Sequence, residues 1–255
     1  MNVRLVNYTI DSNGGYHGCD KHIITINKYV ELTLDFKTIT ERTLDIEYVD
    51  RRYIGVEDVR IFMTNDGIID FIGTGYHKNN KIGIVTGNYN PLDNNNMLVP
   101  VEITPSFANN DCEKNWVYVT FNNEQHIVYN WFPLKLCKIS GEKLNLVKTI
   151  EMPRFFKYVR GSTNGFQYKN EIWFIGHIVS YETPRHYYHM FSVFDENMKL
   201  LRYSAPFKFD QHCVEYCLGL IVEDDRIICT YSSWDRTTNI GIYDKKYIDG
   251  LVVYN

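Results

Sequence analysis

The chain of 255 residues is 44% hydrophobic and 15% aromatic, so it can bury a large core and form one large β domain or two small ones. Its 27 basic and 31 acidic side chains give a formal net charge of -4, with no basic run and no acidic tail, which argues against a nucleic acid or an anionic membrane as partner. The first residues contain no signal peptide, and nowhere do about 18 apolar residues run together, so we expect a cytoplasmic protein.

The cysteines lack the paired Cys-x-x-Cys spacing of a zinc site and form no disulfide framework. Most of them lie in apolar, strand-like runs, where a free thiol behaves as a small buried hydrophobe. We therefore expect reduced thiols and no bound metal. The six are Cys19, Cys112, Cys137, Cys213, Cys217 and Cys229.

The elements along the chain repeat one pattern, in which an apolar run, a tight polar turn and a second apolar run follow a polar cluster. A divergent first unit covers 4–34, and four clearer units follow with turns at 65–67, 122–123, 169–170 and 224–225. A third run such as 187–194, rich in aromatic and β-branched residues, adds another strand to each unit. The period of roughly 40 to 55 residues is typical of repeat arrays and propellers.

No stretch shows a sustained 3.6-residue apolar period, so we expect few helices. The repeats predict an all-β fold, a five-bladed β-propeller, because radial repetition leaves only short protected strand edges. A pair of β-sandwiches is the alternative. The polar tract 88–96, which contains Pro91, is too short for a domain linker and is interpreted as a loop between blades. The prediction is one domain, 1–255, with approximate blades at 1–49, 50–96, 97–153, 154–210 and 211–255.

Equivalent positions in successive blades face the same end of the central channel, so polar residues far apart in sequence should converge there. Acids, an arginine, imidazoles and aromatic faces in one pocket suit a polyhydroxylated sugar. The expected inner set is Asp58, Asn115, Arg160, Ser162 and Glu215. The expected second ring around the mouth is Tyr76, His77, Asn130, Trp131, His177, Trp234 and Asp235.

One cluster stands out, because Glu57, Asp58 and Arg60 lie within four residues at the start of an otherwise apolar hairpin. Burying such charges costs desolvation free energy that a purely structural strand would avoid, which indicates a site. The alternative interpretation is a structural salt bridge at a strand end.

The segment 55–60, Gly-Val-Glu-Asp-Val-Arg, resembles the Gly-x-Glu-Asp-Pro-Arg signature of the five-bladed β-mannoside phosphorylases of glycoside hydrolase family 130 and of related β-1,2-mannosyltransferases and phosphorylases. The stretches 165–195, 214–220 and 231–235 are similar to later segments of that family. The half from Asn130 onward looks like propeller domains associated with glycosyltransferases in bacteria and large DNA viruses; a viral origin would imply the host cytoplasm.

Two positions depart from the family pattern. Val59 replaces the signature proline, which changes only local backbone stiffness. The arginine that usually contacts phosphate has no match near Asn130, so Arg160, Arg60 or His177 would have to supply the charge.

The resemblance implies that Asp58 is the general acid, with Glu57 and Arg60 orienting it and the sugar. One acid suffices for phosphorolysis because phosphate is itself the nucleophile. Alternative interpretations stay open. A histidine at a strand end is more often a packing residue, and a tryptophan is as readily a core residue as a sugar platform. Glu215 and Asp235 could cap loops, and Gly161 could serve a turn as well as a phosphate. The implied substrate-binding residues are Arg160, Ser162, His177, His189, Glu215, Tyr216, Trp234 and Asp235, with Trp131 as a further stacking candidate.

The expected function is therefore that of an inverting β-mannoside phosphorylase or mannosyltransferase, with no cofactor and with inorganic phosphate or a sugar-phosphate donor as co-substrate. The expected partner is a mannoside or related glycan. Two alternatives remain open: a glycan-binding propeller without catalysis, and a sugar-nucleotide-dependent glycosyltransferase or its accessory module. The absence of an Asp-x-Asp motif weakens the last alternative.

Overall fold

The computed structural model describes residues 1–45, 50–64, 66–89 and 98–255. The predicted turn residue Asn65 and most of the predicted loop 88–96 lie outside these residues. In the described part the protein is almost entirely β, which confirms the all-β prediction. No helix found there is long and apolar enough to cross a membrane.

The strands of the described residues fall into five consecutive groups. The first contains β1 (Asn2–Val6), β2 (Thr9–Ile10), β3 (Tyr16–His17), β4 (Ile23–Leu32), β5 (Thr38–Leu44) and β6 (Tyr53–Ile54). The second contains β7 (Glu57–Met63), β8 (Ile69–Tyr76), β9 (Ile82–Asn88) and β10 (Val101–Pro105). The third contains β11 (Val117–Phe121), β12 (Glu124–Trp131), β13 (Leu134–Ser140) and β14 (Lys143–Ile150).

The fourth group begins with a 3₁₀ segment (Arg154–Tyr158) and contains β15 (Arg160–Gly161), β16 (Phe166–Tyr168), β17 (Glu171–Ser180), β18 (His186–Asp195) and β19 (Leu200–Tyr203). The fifth contains β20 (Glu215–Val222), β21 (Arg226–Ser233) and β22 (Asn239–Asp244), followed by α1 (Lys245–Leu251).

Within each group consecutive strands pair mainly antiparallel. The turn predicted at 122–123 joins β11 to β12, and both of its residues have positive φ, as a two-residue hairpin turn requires. A short parallel pairing of β10 with β14 joins the second and third groups into one eight-stranded sheet, which the repeat pattern does not predict.

Five apolar clusters lie between neighbouring groups and account for the core. One joins the first and second groups, and others join the second with the third, the third with the fourth, and the fourth with the fifth. The fifth cluster contains Tyr8, Ile10 and Val214, and so packs the last group against the first. Because burial of apolar surface is the main stabilising term, this closed sequence of interfaces fixes the groups around a common centre.

Trp131 belongs to this core. Its side chain is 2% exposed and packs against Phe174 and Phe194, with ring centroids 5.2 and 6.0 Å away. A ring enclosed in this way has no free face for a sugar, which corrects the interpretation of Trp131 as a stacking residue.

Candidate functional site

Asp58 lies at an irregular point of β7, where the pairing with β8 shifts register between Glu57 and Arg60. Its φ of 54° is in the left-handed region, an uncommon conformation for a residue with a side chain. Two arginines hold it there, because Arg60 donates to its backbone oxygen and Arg4 donates to Oδ1, each over 2.9 Å. Backbone strain that surrounding contacts stabilise is typical of functional positions.

Arg4 connects the carboxylates of the site. Besides Asp58, it lies 3.7 Å from Glu57 and donates to the Tyr8 hydroxyl over 2.9 Å. Tyr8 in turn donates to Oδ2 of Asp235 over 2.7 Å. Burial alone would lower the pKa of Arg4, but the carboxylates of Asp58, Asp235 and Glu57 together raise it. The guanidinium is therefore the fixed positive centre of an acidic cluster.

Lys114 extends this cluster on the side of the third group. Its ammonium lies 3.3 Å from Oε2 of Glu57, and it is partly exposed to the cavity. Burial lowers the pKa of Lys114, yet the neighbouring Glu57 and Asp58 raise it overall. Glu57 is thus held between two cations from different groups.

Arg60 lies beneath the cavity and is 2% exposed. Its three nitrogens donate to the backbone oxygens of Ser162 and Asp58 and to the Tyr216 hydroxyl. Tyr216 donates onward to Asn115 over 2.8 Å. Since all three acceptors of Arg60 are neutral oxygens, this buried cation ties together strands from different groups and keeps a positive charge under the site.

Ser162 and His177 form a buried hydrogen bond, with 2.9 Å between Oγ and Nδ1. Burial lowers the pKa of His177, and the nearby His189, Arg160 and Arg60 add to this effect. The imidazole therefore stays neutral at neutral pH. It contacts Tyr216 edge-on, with ring centroids 5.0 Å apart.

These residues surround a cavity of about 500 Å³. Five basic and three acidic side chains line it, with five tyrosines among the remaining residues. The three carboxylates, those of Glu57, Asp58 and Asp235, lie close to Arg4 and Lys114. By contrast, neither Arg160 nor Arg185 forms an ion pair with a carboxylate of the described residues. The lining is Arg4, Tyr8, Tyr16, Cys19, Ile23, Arg52, Tyr53, Glu57, Asp58, Lys114, Asn115, Arg160, His177, Arg185, Tyr187, Val214, Tyr216 and Asp235.

The cavity thus brings together seven of the predicted site residues: Glu57, Asp58, Asn115, Arg160, His177, Tyr216 and Asp235. Arg60 and Ser162 are buried and support residues of the lining through hydrogen bonds. Within the described residues, no group of three or more histidine, cysteine or acidic side chains is placed to hold a metal ion.

Besides Arg60, Ser162 and Trp131, six predicted site residues lie outside the cavity lining: Tyr76, His77, Asn130, His189, Glu215 and Trp234. His189 is fully buried against Phe207 and Phe209. Glu215 is also fully buried, and its carboxylate accepts backbone N–H groups from Phe209, Asp210 and His212, so it braces a loop. Trp234 packs in the cluster between the fifth and first groups. The full burial of His189 and Glu215 corrects the expectation that these two residues contact substrate.

The sequence analysis missed Arg4, Tyr8, Tyr16, Lys114 and Arg185. Arg4 and Tyr8 lie on either side of the segment 5–7, which begins with two apolar residues. A charged arginine in such a strand-like run was the one feature of the sequence that could have indicated this part of the site. Tyr16 lies in the two-residue strand β3 and Arg185 in a polar loop, and neither short segment stands out in the sequence, so their place in the cavity depends on the folded arrangement alone.

Neither a protein-family model nor a curated protein matches this sequence. Among solved structures, β-1,2-mannobiose phosphorylase from Listeria innocua, in complex with β-1,2-mannobiose, is similar with a TM-score of 0.63 and 11% identity, over 98% of this chain and 83% of that one. A glycosyl hydrolase from Bacteroides ovatus has a TM-score of 0.54 and 12% identity, over 94% and 83% of the two chains. An α-L-arabinofuranosidase from Lactobacillus brevis has a TM-score of 0.55 and 8% identity, over 94% and 89%. At these identities the likeness concerns the fold, and the chain shares the β-propeller architecture of these glycoside-active enzymes.

Proposed function

We propose that the protein is a carbohydrate-active enzyme, an inverting β-mannoside phosphorylase or mannosyltransferase, built as a five-bladed propeller. The five strand groups and the closed sequence of apolar interfaces support the blade count. The similarity to a β-1,2-mannobiose phosphorylase over 98% of the chain supports the substrate class.

The observation that carries the proposal is the geometry of Asp58. Arg4 occupies its Oδ1, while Oδ2 accepts no hydrogen bond from the described residues, and Asp58 is part of the lining of the cavity. A carboxyl group with one fixed and one free oxygen is suited to general acid catalysis, because the free oxygen can hold and deliver a proton at a defined place. Its strained backbone adds to this preorganisation.

In the proposed reaction Asp58 gives its proton to the glycosidic oxygen as the bond from that oxygen to the anomeric carbon breaks. A phosphate oxygen attacks the anomeric carbon from the opposite face, and the products are a sugar 1-phosphate and the released sugar. No second carboxylate is needed to activate water, because phosphate is the nucleophile. In the transferase version the same steps run in reverse, from a sugar-phosphate donor to an acceptor hydroxyl.

Arg160 and Arg185 are the side chains that we assign to the phosphate group. Of the three earlier candidates, Arg60 has its donors engaged by protein oxygens, and Nδ1 of His177 is engaged by Ser162. Arg160 and Arg185 line the cavity without a carboxylate partner among the described residues. Unpaired guanidinium groups are well matched to a phosphate, which they bind through paired N–H donors.

A glycan-binding protein without catalysis is the main alternative, because carboxylates, tyrosines and arginines also bind sugar hydroxyls without reaction. The deciding experiment incubates the protein with β-1,2-mannobiose and phosphate, with mannose 1-phosphate and acceptors, and with GDP-mannose and acceptors, and measures sugar phosphate, phosphate and nucleotide release. Turnover of one of these is the expected result.

Asp58→Asn should then lower turnover by about 10²- to 10⁴-fold while sugar affinity stays near the wild-type value, since the amide cannot deliver a proton. Asp224→Asn, at an exposed ion pair with Lys169, is the matched control. A wild-type protein that binds glycans but turns over none of these substrates would favour the glycan-binding alternative.

A further inference from the structure

The hairpin of β2 and β3, residues 9–17, is a braced element beside the cavity. Oδ1 of Asp11 accepts the backbone N–H groups of Asn13 and Gly15, each over 2.8 Å, and Oδ2 lies 2.7 Å from Nε2 of His17. The turn also closes through a backbone hydrogen bond from Asp11 to Gly15. A short turn with this many internal bonds retains little conformational freedom.

Contacts on several sides attach this hairpin to the rest of the protein. Arg236, from the fifth group, donates to the backbone oxygen of Ile10 over 2.8 Å. Just after the hairpin, Arg52 donates to the backbone oxygens of Cys19 and Asp20, each over 2.6 Å, and so holds the chain that leaves it. At the tip Gly14 lies against Pro184, close enough that a Cβ would be 3.3 Å from the proline Cα. The hairpin is therefore fixed from the fourth and fifth groups as well as from its own.

Tyr16 is the side chain that this hairpin presents to the cavity. It is 55% exposed, whereas the four other tyrosines of the lining, Tyr8, Tyr53, Tyr187 and Tyr216, are buried or partly buried. Its ring lies 5.1 Å from that of Tyr8, whose hydroxyl bonds to Asp235.

A sugar site commonly includes an aromatic ring on which the sugar stacks. Trp131 and Trp234 cannot supply this ring because neither lines the cavity, whereas Tyr16 does. A pyranose ring offers hydroxyl groups at its edge and an apolar face of C–H groups. The acidic cluster can accept hydrogen bonds from the hydroxyl groups at the edge of the sugar, and an aromatic ring beside the cluster can pack against the apolar face of the sugar. A ring that extends from a braced hairpin and already packs against Tyr8 has less freedom to lose when it binds.

We propose that Tyr16 is the stacking platform for the sugar and that the N-terminal hairpin is the element that determines sugar recognition. This inference rests on the proposed carbohydrate function and adds to it the residue that selects for a sugar with an exposed apolar face. It concerns binding alone and holds whether or not the bound sugar reacts.

The test measures β-1,2-mannobiose and mannose binding by calorimetry to the wild-type protein and to three variants. Tyr16→Ala removes the ring and should weaken affinity about three- to tenfold. Tyr16→Phe keeps the aromatic face and should bind within about twofold of wild type. Tyr247→Ala, at a 63% exposed tyrosine on α1 outside the cavity lining, is the matched control and should bind as wild type.

Thermal unfolding of each variant separates a lost platform from a lost fold, and Tyr16→Phe preserves the packing against Tyr8 in any case. Wild-type binding that is unchanged in Tyr16→Ala would overturn this inference and leave the proposed function standing. Equal losses in Tyr16→Ala and Tyr16→Phe would assign the effect to the hydroxyl and overturn stacking. A wild-type protein that binds neither sugar would overturn the proposed mannoside function, and the inference with it.

Discussion

The guanidinium of Arg4, on the first strand of the chain, donates a hydrogen bond of 2.9 Å to Oδ1 of Asp58, on the first strand of the second group. The same guanidinium reaches Tyr8 and lies near Glu57, so removing it leaves clustered carboxylates without their shared counter-charge. We expect Arg4→Gln to lower the free energy of unfolding by about 2–4 kcal/mol, because removing one side of a partly buried ion pair leaves the neighbouring carboxylates poorly compensated.

Urea denaturation at neutral pH measures this loss. Arg226→Gln is the matched control, because Arg226 forms an ion pair with Glu223 at an exposed turn and should change stability by less than about 1 kcal/mol. Equal stabilities of the two variants would show that the Arg4 cluster contributes nothing beyond a surface pair.

Arg60→Lys tests the role of the buried guanidinium. Lysine keeps the charge but cannot match the planar arrangement of donors that meets Ser162, Asp58 and Tyr216. We expect a loss of about 2–4 kcal/mol in unfolding free energy, since buried acceptors lose their donors. Arg226→Lys serves as the control, and a fully stable Arg60→Lys protein would refute the structural role.

His189 should make stability depend on pH. Burial lowers its pKa to about 3, so the folded protein leaves this ring neutral, while in the unfolded chain it takes up a proton below its ordinary value of 6.5. The unfolded state therefore binds more protons as pH falls from 6.5 towards 3, and the free energy of unfolding decreases by up to about 1.4 kcal/mol per pH unit.

The variant His189→Leu removes this contribution. Neither ring nitrogen of His189 has a hydrogen-bond partner among the described residues, so the change also removes two buried polar atoms that cost free energy. Between pH 6.5 and 5 the wild type should lose about 1.6 kcal/mol more than His189→Leu. The exposed His212→Gln is the control, and identical slopes for wild type and His189→Leu would contradict the assignment.

Trp131→Ala distinguishes a core tryptophan from a sugar platform. Because the ring is enclosed by Phe174 and Phe194, we expect a loss of about 3–5 kcal/mol in unfolding free energy. Sugar affinity of the folded fraction should stay unchanged, and Trp131→Phe should lose less stability. A stable Trp131→Ala protein with weakened sugar binding would restore the stacking interpretation.

The β architecture could be predicted from the sequence because strands and tight turns are indicated by local patterns of residues. The positive-φ turn at 122–123 and the apolar runs beside it follow from residues close together in the chain. The parallel contact of β10 with β14 involves few residues, and no periodic pattern encodes it. Contacts of that kind depend on how the groups pack, which local preferences do not determine.

The site was predictable where charge stood out against an apolar strand, as at Asp58 and Arg60. Glu215 shows the limit of that signal, because its carboxylate accepts three backbone N–H groups of a loop, and a loop brace and a substrate ligand look alike in sequence. Tyr16 shows the opposite limit, since nothing in the sequence distinguishes an aromatic residue in a short polar hairpin until the fold brings it to the cavity.

The hydrogen bond between Tyr8 and Asp235 spans 227 residues of sequence, so the acidic cluster cannot assemble until nearly all of the chain has been synthesised. While the later groups are still being synthesised, Arg4 and Tyr8 remain exposed to solvent, and the apolar surfaces that the later groups will cover are exposed as well. Contacts of such long range slow folding and leave partly folded chains prone to aggregation. A nascent chain released before Asp235 would therefore carry Asp58 in its strand but lack the completed charge network around it.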